Sequence, residues 1–382
     1  MSIFYFNLLN GYKKLGIALF LVGVLFSDLQ SFRYNGQRKH KNSEKRVFLC
    51  GKSLEKAYAD AIAFNSSGFK SLSAYEIIEY SKNAYDKKDE ERVLEERIAL
   101  KLVTSATKHL AKKIVRESSG AISDDKKVLI FGGILQGGGD FLKELLLRYV
   151  NQFNSSGKKI KIIFSEMGDE RAILGAVKYA ESKLNSCKRL NGQYAIGLDI
   201  GGTSIRIGLV DLEKYSLVGE LVKQPVFVNN DDKNRLYFFK NQIKSALKIN
   251  KKNKNFEPSE LSFFLKNRSA QIEYELLTDQ MIDRISDLIE GLKKDFNIKF
   301  VAIASAGTIN ENGFCLYAYN LPFTCVDIKQ RVENIIQVPV YVANDMYCAA
   351  LGEKNFGVLK SVNEFVIIGL GTGLGFKKFN FN

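Results

Sequence analysis

The stretch that decides the fold is YAIGLDIGGTSIRIGLVD, residues 194–211. An apolar run broken only by Asp199, two glycines and a second apolar run predict a strand, a tight turn and a returning strand. Gly201 and Gly202 remove Cβ atoms where the backbone must turn, so their N–H groups can converge on an anion. Thr203 adds a hydroxyl donor, and Arg206 on the return strand suits a phosphate or a carboxylate. Asp199, ending the first strand, is placed to face Mg²⁺ through water while the ion bridges nucleotide phosphates. An ordinary hairpin accounts for the glycines but not for the acid and the threonine flanking them.

The rest of the chain has the composition of a globular protein. Of 382 residues 46% are apolar and 26% charged, which excludes a wholly disordered chain. The net charge of +14 is spread along helical stretches and reads as a solvated basic surface, so nucleic acid is not an expected partner. Five cysteines without a CxxC pair fit a reducing compartment, the cytoplasm, and two histidines leave little for a His-rich metal site. KKLGIALFLVGVLFSD (residues 13–28) has two readings: the leading part of a signal peptide, or two buried strands about Gly23. It is short for a transmembrane helix, so a membrane is not an expected partner either.

Strands alternate with helices along the chain, an α/β pattern. A helical stripe covers 89–116, and a short strand, 128–131, ends at Gly132 and Gly133, with Asp140 as N-cap of the next helix. A strand over 160–164 and a helix from about Asp169 repeat that plan. The Lys- and Asn-rich residues 244–269 read as an inserted loop or short helices, followed by a helix at about 278–295. VPVYVANDMYCAALGEKNFG (338–357) reads as strand, turn and helix. It places Asn344 and Asp345 at the mouth of the cleft that such a sheet forms. A carboxylate there suits a base that takes the proton from a sugar hydroxyl, with Asn344 hydrogen-bonding the sugar; a plain turn and N-cap is the rival reading. GLGTGLG supplies Gly371, Thr372 and Gly373 as a second donor loop for a transferring phosphate. Gly132 and Gly133 either approach the nucleotide or simply punctuate a strand-to-helix turn.

DIGGTSIRIGLVD, VPVYVANDMYCAALGE and GLGTGLG together resemble the ROK family of bacterial sugar kinases and sugar-responsive repressors. The resemblance implies a two-lobed actin-like ATPase (ribonuclease H-like) fold with ATP and Mg²⁺ in the cleft. It also implies Asp345 as base, and Asn344, Asn320 and Glu55 as contacts to a small-molecule sugar. The order differs from the family. FGGILQGGGDFL and FSEMGDERAILGAVKYA look like its C-terminal half, yet here they come first, and LGIALFLVGVLF resembles the strand pair expected after GLGTGLG. The chain is therefore expected to comprise residues 1–47, a lobe over 48–185 and a lobe over 194–382, circularly permuted or assembled from two half-domains. Exchange of halves in a homodimer satisfies the same order. The family's zinc loop has no counterpart beyond His40 and Cys50, so no zinc site is expected. Two functions stand: an ATP-dependent sugar kinase, or a non-catalytic sugar-sensing regulator or degenerate fused remnant.

Overall fold

The computed structural model describes residues 47–63, 72–118, 125–155, 159–184, 193–250 and 260–381. The hydrophobic segment 13–28, His40 and most of the bridge NSCKRLNGQ (185–193) lie outside the described residues. The chain divides into two compact units, one of residues 1–125 and 132–160, the other of 126–131 and 161–382.

The first unit is helical: α1 (Gly51–Ala63), α2 (Ala74–Tyr85), α3 (Leu94–Ser118) and α4 (Gly133–Phe153). The apolar stripe of α3 is buried at Ile98, Val103, Leu110 and Ile114, as its spacing requires. A capping box closes the start of α2, where Ser73 and Glu76 bond each other's backbone N–H groups. α4 is two helical stretches joined at Gly139, whose φ of 52° only glycine adopts freely: the second starts at Asp140, where the sequence places a helix start, and a further stretch from Gly133 precedes it.

The second unit holds the sheets. A five-stranded sheet runs in the order β10 (Val340–Asn344), β6 (Ile298–Ser305), β3 (Tyr194–Ile200), β4 (Ser204–Asp211), β5 (Ser216–Pro225). β3, β4 and β5 form an antiparallel meander, while β6 lies parallel to β3 and β10 parallel to β6. A four-stranded sheet runs β12 (Leu374–Asn380), β11 (Glu364–Leu370), β1 (Asp125–Phe131), β2 (Lys159–Phe164). Here too a hairpin, β11–β12, is antiparallel and the next strand, β1, is parallel to its first strand. Both sheets share one plan, an antiparallel hairpin joined to a strand parallel to its first strand, and the chain is α/β as its sequence predicts. The second sheet is stitched from two distant stretches of the chain: its hairpin comes from 364–380, its remaining strands from 125–164. It thus draws strands from both stretches that the sequence divides into separate lobes.

The first sheet is covered on both faces, so its strands are apolar throughout rather than alternating. One face carries large residues, Ile196, Leu198, Val301 and Ile303, against α7 (Arg268–Lys293) and α8 (Ile328–Ile336). The opposite face carries small ones, Ala195, Ala302, Ala304 and Ala343, against α5 (Glu170–Lys183). Gly197 belongs to that face, where a Cβ would collide with Ile173. The small residues let α5 lie close to the sheet, and α5 in turn meets α9 (Asp345–Asn355) backbone to backbone. A Cβ on Gly175 would collide with the Cys348 carbonyl oxygen, and one on Gly352 with that of Arg171. α9 serves both sheets, with Cys348 in the core of the first and Ala349 and Ala350 in the core of the second.

Residues 251–259 of the insertion lie outside the described residues; α6 (Asn230–Asn250) runs into it, and α7 starts about ten residues earlier than the apolar stripe indicates. Asn267 caps α7 by accepting the Ser269 and Ala270 N–H groups, and Tyr274 and Leu277 bury against Leu236, Phe239 and Ile243 of α6. A second, local core therefore extends α7. The tight α5–α9 crossing yields a test: Gly175→Val forces two helix backbones apart. It should lower stability by about 3 kcal/mol or more, read as the loss of denaturant midpoint, whereas Gly133→Ala, in open space, leaves the midpoint within about 1 kcal/mol of the parent.

Candidate functional site

The parallel strands of the first sheet end at one level. Ile200 of β3 and Asn344 of β10 both pair with Ser305 of β6, so the β3–β4 turn and the start of α9 share one sheet edge. The turn is closed by the Gly201 N–H donating to the Ser204 carbonyl at 3.0 Å. Gly202 is needed for space, since a Cβ there would lie 2.8 Å from Asn320 Nδ2. The second glycine loop joins the first through hydroxyls, with Thr372 Oγ1 at 3.4 Å from Thr203 Oγ1. Around Gly371 and Gly373 a Cβ would meet nothing within 4 Å, and at Gly201 only the Ser204 oxygen at 3.5 Å. Neither strain nor packing within the protein asks for glycine at these three positions. What the missing side chains leave is open space beside two turns, each closed by a backbone hydrogen bond, Gly201 N–H to Ser204 and Gly371 N–H to Gly373.

Asp199 and Arg206 face each other across β3 and β4, and the guanidinium donates to Asp199 Oδ2 at 2.8 Å. Arg206 Nε also lies 2.9 Å from Asp169 Oδ2, and Lys223 Nζ, its cross-strand neighbour on β5, approaches the same oxygen at 3.5 Å. Of the two roles open to Arg206, the structure displays the carboxylate anchor. Burial pushes the Asp199 carboxyl up from its usual range, and the charge of Arg206 pulls it partly back.

Asp345 is the first residue of α9. Its Oδ1 accepts the Met346 N–H at 2.8 Å and the Asn344 Nδ2 at 3.0 Å, and its Oδ2 accepts no hydrogen bond among the described residues. Burial first, and the Asp199 charge second, push the Asp345 carboxyl up to about 7; the Met346 N–H and Lys377 act the other way. Asn344 is committed at both ends of its amide. Its Oδ1 accepts the Tyr347 N–H as the cap of α9, and its Nδ2 donates to the Gly307 carbonyl at 2.9 Å. It is the N-cap, and through Nδ2 it also orients Asp345.

Asp199, Gly201, Gly202, Thr203, Arg206, Asn320, Asn344, Asp345, Gly371, Thr372 and Gly373 all lie in the second unit. Gly132, Gly133 and Glu55 belong to the first. There Glu55 accepts the Ala74 N–H at 3.0 Å, reinforcing the start of α2, and Gly132 caps α4 with a φ of 118° that explains its glycine. Among the described residues no group of three or more His, Cys, Asp or Glu could hold a metal ion, and no helix is long and apolar enough to cross a membrane. Sequence reasoning missed Asp169, Lys223 and Lys377. Asp169 precedes a helix and looks like a first-turn acid, and only the folded hairpin brings Arg206 to it.

Residues 264–377 match the sequence model of the ROK family. The chain is 36% identical over 98 residues to a glucokinase of Streptomyces coelicolor, covering 25% of this chain and 31% of that one. It is 28% identical over 102 residues to a xylose repressor of Bacillus spizizenii, covering 26% and 27%. The alignments span about a third or less of these relatives' length. Among solved structures, a ROK family glucokinase from Streptomyces griseus in complex with glucose and AMPPNP aligns with TM-score 0.34 at 24% identity, over 50% of this chain and 45% of that one. An archaeal actin homologue, Ta0583, aligns with TM-score 0.35 at 14% identity, over 66% and 76%.

The raised Asp345 carboxyl has a consequence for stability. The folded state holds its proton up to about pH 7, the unfolded chain only to about 3.8, so stability falls as pH rises through that window and levels off above it. Asp345→Asn keeps the acceptor Oδ1 and removes the charge. It should raise the Tm near pH 8 and leave it unchanged below about pH 4; an equal effect at both ends would contradict the buried-charge account.

Proposed function

We propose that this ROK-like chain binds ATP in the paired glycine loops and transfers its terminal phosphoryl group to a hydroxyl of a hexose or amino sugar. The observation that carries the reading is the meeting of two open glycine loops, through Thr203 and Thr372, at the sheet edge where Asp345 stands. The amides of Gly202 and Gly373 and the two threonine hydroxyls bind and orient phosphate oxygens, while the Gly201 and Gly371 N–H groups close the two turns on the Ser204 and Gly373 carbonyls. Asp199 would hold Mg²⁺, which would supply charge neutralisation when bound. The donor set fits a nucleotide's phosphates: two open glycine turns with an acidic residue at their root. Arg206 holds the Asp199 carboxylate in place and lends positive charge beside it.

Asp345 Oδ2 takes the proton from the sugar hydroxyl and aims the oxygen at phosphorus, while Oδ1 is fixed by Asn344 and the Met346 N–H. Asn320, packed on the Gly202 turn, is placed to hydrogen-bond the sugar. The four described cysteines are free thiols, in keeping with a cytoplasmic setting.

A second reading, a sugar sensor without turnover, draws on the similarity to a xylose repressor and on Arg206, whose guanidinium already occupies one oxygen of Asp199. One experiment separates the two: purified protein with ATP, Mg²⁺ and a panel of hexoses and amino sugars. For the kinase, Asp345→Asn should lower kcat by about 10²–10⁴ and leave ATP binding intact, and wild-type kcat/KM should fall tenfold per pH unit below about 7, where the base is protonated. Sugar-dependent thermal stabilisation without any phosphorylated sugar would instead establish the sensor.

A further inference from the structure

α6 carries a lysine where a helix of this kind needs an apolar residue. Lys240 is 2% exposed and faces the core shared by α6 and α7. Among the described residues no carboxylate pairs with it. Its Nζ lies 2.9 Å from Thr324 Oγ1 and 3.4 Å from the Phe323 carbonyl, over the rings of Tyr317 at 4.6 Å and Tyr274 at 5.2 Å. Burial lowers its amine to about 7. Burying an amine this deeply is unfavourable, and a methionine would fill the same space without that penalty. The groups it touches account for its presence.

All its polar partners lie in one short segment, 318–324, which links β8 (Phe314–Tyr317) to β9 (Thr324–Asp327). α7 grips the same segment: Thr278 Oγ1 donates to the Pro322 carbonyl at 2.6 Å, and the Tyr274 hydroxyl lies 2.8 Å from Thr324 Oγ1. Lys244, one turn after Lys240 on α6, places its amine 5.3 Å from the Tyr319 ring. The Phe323 carbonyl that Lys240 reaches also accepts the Ala318 N–H at 2.8 Å, which closes the segment on itself. At its middle is Asn320, packed against Gly202 of the phosphate turn.

We propose that Lys240 is a positioning residue that, with Tyr274 and Thr278, clamps residues 318–324 and so sets where Asn320 stands beside the Gly201–Gly202 turn. α6 and α7 are then working parts of the site's wall. The clamp stands on the hydrogen bonds alone; that Asn320 thereby meets a sugar rests on the function proposed above.

Hydrogen exchange of the full chain, with Lys240→Met and Thr324→Val, tests it. Each variant should speed exchange of amides in 317–324 at least tenfold while peptides covering 194–211 exchange as in the parent. The double variant should fall clearly short of the sum of the singles, because both remove the Lys240–Thr324 contact. Uniform acceleration, additive effects or no change would overturn the proposal. The two variants guard against misfolding of either, and an unchanged far-ultraviolet spectrum identifies the folded ones. In sugar assays Lys240→Met should raise the sugar KM about tenfold with little change in kcat, and a kcat effect alone would speak against positioning. Should the wild-type protein phosphorylate no sugar, the kinase reading fails while the exchange result still decides the clamp.

Discussion

The crossing of α5 and α9 is the constraint on which the rest of the second unit depends. Two glycines, Gly175 and Gly352, bring helix backbones into direct contact, and the small face of the first sheet receives α5 at equally short range. A buried ion pair locks the crossing. Arg171 donates to Glu353 at 2.7 Å, with Ser165 bonded to both, while the guanidinium lies 4.3 Å from the Phe131 ring. A pair this deeply buried adds little net stability but fixes which arrangement the helices adopt, since breaking it strands a charge. Because α9 begins at Asp345 and ends at Lys354–Asn355, the lock at Glu353 also determines where the carboxylate stands.

That crossing also joins what the chain order separates. α5 comes from the stretch preceding the hairpin, α9 from the stretch following it, and Tyr215 with Glu181 and Lys183 with Glu311 add further links across the same divide. The hairpin sits in the middle of the chain, yet in the fold it occupies the centre of a sheet whose covering helix was encoded earlier. Position along the chain and position in the architecture are independent here, because both sheets are completed by contacts rather than by connectivity.

Much of this was legible in the residues. The hairpin β3–β4, the strand–helix unit of Asn344 and Asp345 and the closing glycine loop each carry a local signal: turn glycines between apolar runs, or a cap between a strand and a helix. What was not legible depends on groups distant in sequence. Asp169 becomes a partner of Arg206 only when α5 docks on the hairpin, and nothing in its neighbourhood announces that. Lys240 lies in KNQIKSALK, which reads as a solvated helix face until Tyr274, Tyr317 and Thr324 close around it. The early start of α7 likewise follows from a core it shares with α6, not from its own stripe. Asn344 lay between two readings, and only the fold shows its amide engaged at both ends, Oδ1 by the Tyr347 N–H as the cap of α9 and Nδ2 by the Gly307 carbonyl.

The second sheet has a consequence for how the protein is made. β1 and β2, from 125–164, pair in a sheet with β11 and β12, from 364–380, so two strands leave the ribosome long before the hairpin that completes their sheet. Domains ordinarily condense as they are synthesised, but this one holds apolar strand edges open until residues 364–380 have been made. The separation of pairing partners gives the fold a high contact order, a slow closing step and a long exposure of Val128, Leu129 and Ile130 to wrong partners. A chain of this order would lean on chaperones more than one whose strands emerge beside their neighbours.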